Sequence, residues 1–340
     1  MWSSSIKFIA VNLNFNGLNL VEPQVMAIVN VTDDSFYAQS RTMSERAVAE
    51  RAAQAVAEGA TILDVGGYSS RPGAKEISLE QEWQRVNLGL KAIREVLPDV
   101  AISIDTFRSE VARRALQEYG PIIINDISAG EIDEKMVDVV AEYDVPYVAM
   151  HMRGTPQTMQ QNVDYESDVT SEVVAYLRQR AEFLQSRGVH KIILDPGFGF
   201  AKDLRQNYEL LLNLDKVCDL GYPVLAGLSR KSMIYNLLGV SPSDSATLQG
   251  TTLLNWQALC QGASILRVHD VKEAVELIKQ IKIQNSKLDK VLGNSLLSNA
   301  YLCGYICHST FHINFRQAII YNKTLINIIN QSLSLFCVLN

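Results

Sequence analysis

The sequence has few cysteines, no long apolar run and no excess of basic residues. Its five cysteines lack regular spacing, which argues against a disulfide framework and favours a reducing compartment. No run of about 18 apolar residues could span a bilayer. Residues 1–16 contain one basic residue and lack the apolar core of a signal peptide. We therefore expect a cytoplasmic protein that does not enter a membrane.

The charge and the missing glycine motifs exclude further classes. The chain has 31 basic and 37 acidic residues, a net charge of −6, whereas nucleic-acid binding requires clustered Lys and Arg. A small anionic substrate needs only a locally basic pocket and is not excluded. Neither G-x-G-x-x-G nor a Walker A motif occurs, so the usual dinucleotide and P-loop signatures are absent.

Short β-branched runs alternate with segments of helical period, as in a parallel α/β protein. Eight runs are predicted strands: 25–30, 61–65, 100–105, 122–125, 146–151, 191–195, 223–227 and 265–268. Eight predicted helices are 44–58 (with Ser44 as N-cap), 79–96, 109–119, 133–143, 167–187, 205–214, 245–261 and 271–281. This arithmetic predicts a (β/α)8 TIM barrel. The structural alternative, a doubly wound open sheet, normally has fewer repeats.

Two appendages flank the predicted barrel. Residues 1–23 contain a predicted β-hairpin, Ile6–Leu13 and Leu18–Val21 around Asn16-Gly17, a strong hairpin signal. We assign residues 1–283 to one domain, with the barrel at 24–283. Residues 284–340 form an atypical extension with a net charge of +3 and no helical stripe, which we expect to be poorly ordered. Its Cys303, Cys307, His308 and His312 do not have the spacing of a known zinc site.

Polar residues end nearly every predicted strand. In a barrel these carboxyl ends surround the functional mouth, so such a ring predicts a polar ligand. The ring comprises Asn30, Asp105, Asn125, His151, Asp195, Arg267 and His269, with the segments 66–73 and 229–232 after two further strands. A lone His at a strand end is a weak signal, so we interpret His151 as structural.

The charges of the ring separate into two groups. Asp105, Asn125 and Asp195, expected deep and at adjacent strand ends, could accept N–H groups, and Lys231 could donate to a carbonyl or ring nitrogen. A 2-amino-4-oxo heterocycle has this mixture of donors and acceptors. The alternative is that Asp105 and Asp195 cap loops or pair with Arg108 and Lys202.

The cationic candidates are Arg71, Arg267 and His269, with Asn30 beside them. Arginine matches phosphate geometry, and a Mg²⁺ ion on a diphosphate can take an amide oxygen as one of few protein ligands. Any single arginine is more often a surface ion-pair former. Phe198 and Phe200 are expected near the mouth, where a Phe beside Pro72 could enclose a flat ring; loop packing is the alternative. The turn 229–232 precedes a helical stretch and could offer N–H groups to a carboxylate.

Seven motifs together resemble the dihydropteroate synthase family. They occur in family order over roughly residues 24–283: Asn30–Phe36, Gly66–Gly73, Ser103–Thr106, Ile124–Ile127, Asp195–Phe200, Ser229–Ser232 and Arg267–Asp270. One motif would be weak evidence, whereas seven in sequence are strong. The resemblance implies a transferase of folate biosynthesis that condenses 6-hydroxymethyl-7,8-dihydropterin diphosphate with 4-aminobenzoate to give 7,8-dihydropteroate and diphosphate.

The resemblance also implies residue roles. The implied pterin pocket is Asp105, Asn125, Asp195 and Lys231, and the implied diphosphate site is Asn30 through Mg²⁺ with Arg267 and His269. The implied aminobenzoate pocket, where sulfonamides compete in this family, is Ser70, Arg71, Pro72, Phe200 and Ser232. Asp105, Lys231, Arg267 and His269 are the predicted catalytic residues. The family often forms homodimers, but the residues themselves give no sign of one.

The first loop departs from the family pattern. Asp33 replaces a proline, and Ala38 stands where a second loop aspartate would face the cation. In the second loop, Tyr68 and Ser70 stand where Glu and Thr are frequent. A methyltetrahydrofolate-binding methyltransferase is one rival, but it needs no diphosphate site. A non-catalytic pterin-binding paralogue is another, although it would be expected to lose Lys231, Arg267 or His269 first.

Overall fold

The structure is a computed structural model that describes residues 11–15, 18–31, 38–69, 76–155, 158–159 and 163–293. Eight parallel strands form one sheet: β3 (Gln24–Asn30), β4 (Ile62–Gly66), β5 (Ala101–Asp105), β6 (Ile123–Asp126), β7 (Tyr147–Met150), β8 (Ile192–Asp195), β9 (Leu225–Ala226) and β10 (Ile265–Val268). Their order in the sheet is β8-β7-β6-β5-β4-β3-β10-β9. A parallel bridge between Leu194 and Val224 joins the two ends of the sheet. The predicted (β/α)8 barrel is confirmed, and the open-sheet alternative is wrong.

Helices follow the strands around the ring. They are α1 (Ala38–Glu58), α2 (Leu79–Val96), α3 (Ser109–Tyr119), α4 (Lys135–Tyr143), α5 (Val169–Ser186), α6 (Leu204–Leu212), α7 (Asp215–Cys218), α8 (Ser232–Leu238), α9 (Ser245–Cys260) and α10 (Val271–Gly293). Helix α2 begins at a capping box in which the Ser78 side chain and Gln81 satisfy each other's backbone N–H groups. The short helix α7 was not predicted, and α8 was expected only as a helical stretch of unstated length after the turn 229–232, because four and seven residues are too few for a clear period.

Helix α1, helix α10 and the hairpin depart from their predicted bounds. Helix α1 begins at Ala38, so Ser44 lies inside the helix and is not its N-cap. Helix α10 continues to Gly293, ten residues into the segment predicted to lack helix, because residues 284–293 contain good helix formers and no proline. The hairpin consists of β1 (Val11–Phe15) and β2 (Leu18–Leu20), paired antiparallel, so its first strand ends beyond the predicted Leu13.

The chain comprises two compact units. Residues 7–278 contain the barrel, and residues 1–6 with 279–340 form the other, of which residues 279–293 are described, as the end of α10. The Cys303–His312 cluster lies outside the described residues. In the described part of the chain, no helix is long and apolar enough to cross a bilayer.

Strand register sets the height of each polar residue in the barrel. Asn30 lies opposite Gly66, Gly66 opposite Asp105, and Asp105 opposite Asn125. These residues therefore form one row at the carboxyl ends of β3 to β6. Because side chains alternate along a strand, Asp64 faces the same side as Gly66, one layer below the row. Isoleucine, leucine and valine fill the strands beneath, and most are fully buried.

Candidate active site

The centre of the mouth is an arginine held between two aspartates. Arg267 of β10 donates from Nε to Asp64 Oδ2 at 2.7 Å and from Nη2 to Asp105 Oδ2 at 2.7 Å. The Asp64 side chain is fully buried, and the side chains of Arg267 and Asp105 are 22% and 18% exposed. The guanidinium thus joins three strands of the barrel, and three of its five N–H donors remain for other partners.

Burial and crowding perturb the charges of this cluster. Burial raises the pKa of Asp105 to about 7; Arg267 opposes this rise, and the nearby carboxylates of Asp64 and Glu82 add to it. Burial alone would lower the pKa of Arg267, but Asp64 and Asp105 raise it above its usual value. The arginine therefore stays charged, while Asp105 titrates near neutral pH. Such a carboxyl group can change protonation state when a ligand binds.

Asn125 completes the buried floor of the site. Its side chain is 4% exposed, and Nδ2 donates to both oxygens of Asp64, at 3.4 and 3.3 Å. The amide is thereby oriented with its nitrogen toward Asp64. Asp64 was not among the predicted site residues, although an acidic residue inside the apolar run 61–65 could have indicated it, since a buried carboxylate needs partners.

Asp195 and Lys231 lie on another part of the rim. Asp195 ends β8, separated from β6 by β7, so it is not on a strand adjacent to Asn125 as predicted. Its Oδ1 accepts from Gly197 N at 2.7 Å, which is the loop-capping contact of the alternative interpretation. Among the described residues, its other oxygen receives no hydrogen bond. Burial raises the pKa of Asp195, although the charge of Lys231 opposes this effect.

The ammonium group of Lys231 crosses to the loop after β8. Nζ donates to the carbonyl oxygen of Phe198 and lies 4.8 Å from the centre of the Phe200 ring. Burial lowers the pKa of Lys231 to about 8, against the opposing charge of Asp195. The lysine is therefore charged at pH 7 and close to losing its proton.

The two phenylalanines of this loop have different positions. The Phe198 side chain is fully buried, so it is not an exposed phenylalanine that could cover a flat ring, and the alternative of loop packing fits it. Phe200 is partly buried and packs against a cluster of Ile127, Met150, Met152, Met159 and Ala201. Only Phe200 is thus placed to contact a ligand.

His269 is held by Ser229 on the neighbouring strand end. Ser229 Oγ lies 3.1 Å from His269 Nδ1 and accepts from the backbone N–H of His269 at 3.1 Å. Arg51 of α1 donates to the His269 carbonyl at 2.7 Å. Arg230, with φ of 54°, forms a two-bond ion pair with Asp270, both bonds at 2.8 Å. These contacts fix the turn that leads into α8.

The remaining predicted site residues are exposed or lie outside the described part. Asn30 ends β3 and is exposed, and its Oδ1 would lie 3.5 Å from a Cβ placed on Gly66. Ser232 is exposed as the first residue of α8. Ser70, Arg71 and Pro72 lie outside the described residues, as does Asp33, and nothing is described of the Ala38 side chain.

The alternative pairings for the two aspartates are not formed. Arg108 pairs instead with the fully buried Glu82, at 2.8 Å, and also donates to the Ile77 carbonyl at 2.8 Å. Thr106 donates to the other Glu82 oxygen at 2.5 Å. Lys202 binds two carbonyl groups and His151 rather than Asp195. Glu82 and Lys202 were not predicted to support the site, because their partners are distant in sequence.

Comparisons with known proteins identify the family. The family model described as pterin binding enzyme matches residues 26–269, which include every predicted strand end. A dihydropteroate synthase of Streptococcus pyogenes is 43% identical over 256 residues, covering 75% of this chain and 92% of the relative. The chain belongs to the pterin-binding enzyme family, among the dihydropteroate synthases.

Solved dihydropteroate synthases share the barrel. The enzyme of Xanthomonas albilineans, solved with 4-aminobenzoic acid, has a TM-score of 0.70 and 36% identity, covering 78% of this chain and 94% of that one. The Yersinia pestis enzyme, solved in a sulfonamide drug complex, has a TM-score of 0.73 and 34% identity, covering 82% and 100%. The resemblance inferred from seven motifs is thus confirmed over the barrel.

Proposed function

We propose that this protein is a dihydropteroate synthase that condenses 6-hydroxymethyl-7,8-dihydropterin diphosphate with 4-aminobenzoate, releasing diphosphate. The observation that carries the proposal is the linked set of Asp64, Arg267, Asp105 and Asn125 inside the mouth of a barrel of this family. Such a set places acceptors for ring N–H groups beside donors for an anion. The substrates are inferred from the relatives: the family is described as pterin binding, and the Xanthomonas enzyme was solved with 4-aminobenzoic acid.

The pterin would lie between the Asp105–Asn125 floor and the Asp195–Lys231 rim. The carboxylates can accept N–H groups of the 2-amino-4-oxo ring, and Lys231 can donate to its oxygen or a ring nitrogen. Asp195 Oδ1 accepts from the Gly197 N–H, and the other carboxylate oxygen can accept from the pterin. Buried carboxylates are costly without partners, so a donor-rich ring that replaces water at these positions binds strongly.

Departure of the diphosphate requires positive charge and hydrogen-bond donors. Arg267 retains three N–H donors beyond its two aspartate bonds. A Ser229 hydroxyl that donates to His269 Nδ1 leaves the proton of the neutral ring on Nε2, as a donor for the leaving group. Both residues then stabilise charge that develops as the C–O bond breaks.

The residues present fit a Mg²⁺ ion held mainly by the substrate. No group of three or more His, Cys, Asp or Glu side chains in the described ranges could form an all-protein metal site. Mg²⁺ commonly retains waters and substrate phosphates with one or two protein oxygens, and Asn30 offers an exposed amide oxygen at the rim. When bound, the ion would neutralise part of the diphosphate charge.

The aminobenzoate needs a binding site more than it needs a base. Its aryl amine is a neutral nucleophile at pH 7, so attack on the pterin methylene, once diphosphate has left, needs no strong base. Phe200 can cover the flat ring, and Ser232 at the start of α8 can bind the carboxylate. Ser70, Arg71 and Pro72 remain predicted members of this pocket.

The test is diphosphate release by the purified protein with pterin diphosphate, 4-aminobenzoate and Mg²⁺, beside an Asp195→Asn variant. We expect dihydropteroate formation that requires both substrates and falls at least about a hundredfold in the variant. Arg187→Gln, which removes an exposed ion pair with Asp138 on the barrel exterior, is the control and should leave turnover unchanged. Pterin binding without any turnover would contradict the proposal and favour a binding-only paralogue.

Cytoplasmic location and a homodimer belong to the same proposal. Cys218 is a buried free thiol, which suits a reducing compartment. The dimer rests on the family's habit alone. Light scattering of the purified protein measures its mass, and a single mass near 37.8 kDa would contradict a dimer.

A further inference from the structure

We propose that Lys202 is a positioning residue that, with His151, locks the loop Asp195–Phe200 into the shape that binds the pterin. The inference rests on the proposed function for its substrate and on geometry for the lock itself. Lys202 is 3% exposed, and no catalytic or binding role derived above uses it. Burial lowers its pKa well below the usual lysine value, so a buried amine here requires partners.

Lys202 has three partners, two of them in the loop. Its Nζ lies 3.0 Å from the Gly197 carbonyl, 3.0 Å from the Phe200 carbonyl and 3.0 Å from His151 Nδ1. A charged ammonium donates to all three, whereas a neutral amine donates to both carbonyls and accepts from Nδ1–H. The contacts are satisfied in either protonation state, provided that His151 is neutral.

His151 anchors this lysine to the end of β7. It is 2% exposed, and burial, together with the charges of Lys202 and Arg153, lowers its pKa well below the usual value. Its ring packs edge-on against Tyr176, with the ring centres 4.9 Å apart. Its backbone N–H donates to the Asp195 carbonyl at 2.9 Å. A rigid, neutral imidazole therefore holds the lysine directly beneath the loop.

The loop fits this anchor with little tolerance. Gly197 has a φ of +71°, and a Cβ there would lie 2.0 Å from the His151 carbonyl oxygen. Gly199 N–H donates to Asn207 Oδ1 at 2.6 Å, and Asn207 donates to the Lys202 carbonyl at 3.1 Å. The loop is thus tied on both sides, so its conformation follows the position of Lys202.

Two hydrogen bonds connect the loop that Lys202 holds with the proposed pterin pocket. Gly197 N–H, held by the lock, donates to Asp195 Oδ1 and so orients that carboxylate. The carbonyl of Phe198, between the two carbonyls that Lys202 binds, accepts from Lys231 Nζ. Lys202 thereby sets the positions of both Asp195 and Lys231 without facing the ligand itself.

The experiment measures pterin affinity and loop exchange in the full chain. Lys202→Met keeps the buried stem but removes the donors, and should weaken binding of the pterin diphosphate about tenfold or more by calorimetry. His151→Leu should do the same, while His151→Asn, which returns a polar atom near Nδ1, should restore most of the affinity. Backbone amides of residues 197–200 should exchange with deuterium faster in the two damaging variants only.

Tyr147→Phe is the matched control. Tyr147 is also fully buried on β7, and the substitution removes one hydrogen bond, from the Tyr147 hydroxyl to Asp126. The pterin affinity of this variant should stay within about twofold of the wild-type value. Wild-type affinity and unchanged loop exchange in Lys202→Met would overturn the lock. The lock would also be overturned if deuterium exchange in Lys202→Met rose uniformly across the barrel and Tyr147→Phe lost as much pterin affinity as Lys202→Met. A wild-type protein without turnover defeats the proposed function, but the exchange comparison would still decide the lock.

Discussion

Arg267 and Asp64 are 203 positions apart in the sequence, and they form a 2.7 Å ion pair inside the barrel with the aspartate fully buried. Each member of the pair binds one further site residue: Arg267 donates to Asp105, and Asp64 accepts from Asn125. A buried ion pair stabilises little in net terms, yet removing one partner leaves the other charge uncompensated. Its function is therefore to fix the guanidinium at the mouth.

Asp64→Asn tests this arrangement. We expect the free energy of unfolding to fall by about 3 kcal/mol, since Arg267 loses one of its two carboxylates. We also expect kcat/KM to fall about a hundredfold, because Asp64 no longer holds the Arg267 guanidinium in position at the mouth. Urea unfolding and steady-state kinetics measure the two effects. Asp144→Asn, which removes an exposed pair with Lys191, is the control and should change neither by much. Equal effects in both variants would contradict the role given to Asp64.

The sequence predicted the barrel well because its signals are local. Each β-branched run predicts a strand and each amphipathic segment predicts a helix, and all eight strands were located. Residues at strand ends were found for the same reason, since position along the strand decides their place at the mouth. The seven motifs then identified the family.

Partners distant in the sequence could not be read from the pattern. Nothing local shows that Arg108 pairs with Glu82, which leaves Arg267 as the partner of Asp105. Nor does it show that Phe198 is fully buried while Phe200 lies beside the Lys231 ammonium group. Side-chain choices of this kind are made by packing and by desolvation of the whole site, which are properties of the folded barrel.

The pH dependence of kcat/KM for the pterin diphosphate should be a narrow bell. Below pH about 7, Asp105 is protonated and loses part of its attraction for Arg267, so the rate falls as the pH is lowered. Above pH about 8, Lys231 loses its charge, so the rate falls as the pH is raised. Asp105→Asn should lose the acid limb and keep the alkaline one, because Lys231 still titrates in the variant. A flat profile in the wild type would contradict both assignments.

Glu82→Gln should move that acid limb without touching the ligand. The Glu82 carboxylate raises the pKa of Asp105, an effect added to that of burial, so removing its charge should shift the limb to lower pH. The variant should also lose about 1–3 kcal/mol of stability, since Arg108 and Thr106 both bind this carboxylate. Glu80→Gln, an exposed neighbour on the same helix turn, is the control and should shift neither quantity. An acid limb that stays in place in Glu82→Gln would mean that Asp105 does not produce it.

Two serines in one turn should separate the two halves of the reaction. Ser229→Ala removes the hydroxyl that holds both Nδ1 and the backbone N–H of His269. If His269 assists departure of the diphosphate, kcat should fall about tenfold to a hundredfold while the KM for 4-aminobenzoate changes little. Ser232→Ala, at the exposed start of α8, should instead raise the KM for 4-aminobenzoate, with a smaller effect on kcat. It should also weaken inhibition by a sulfonamide, which occupies a relative of this enzyme in the Yersinia complex. Steady-state kinetics with each substrate varied in turn measure all these constants. The same pattern in both variants would contradict the division, because one disturbance of the whole turn would then account for both serines.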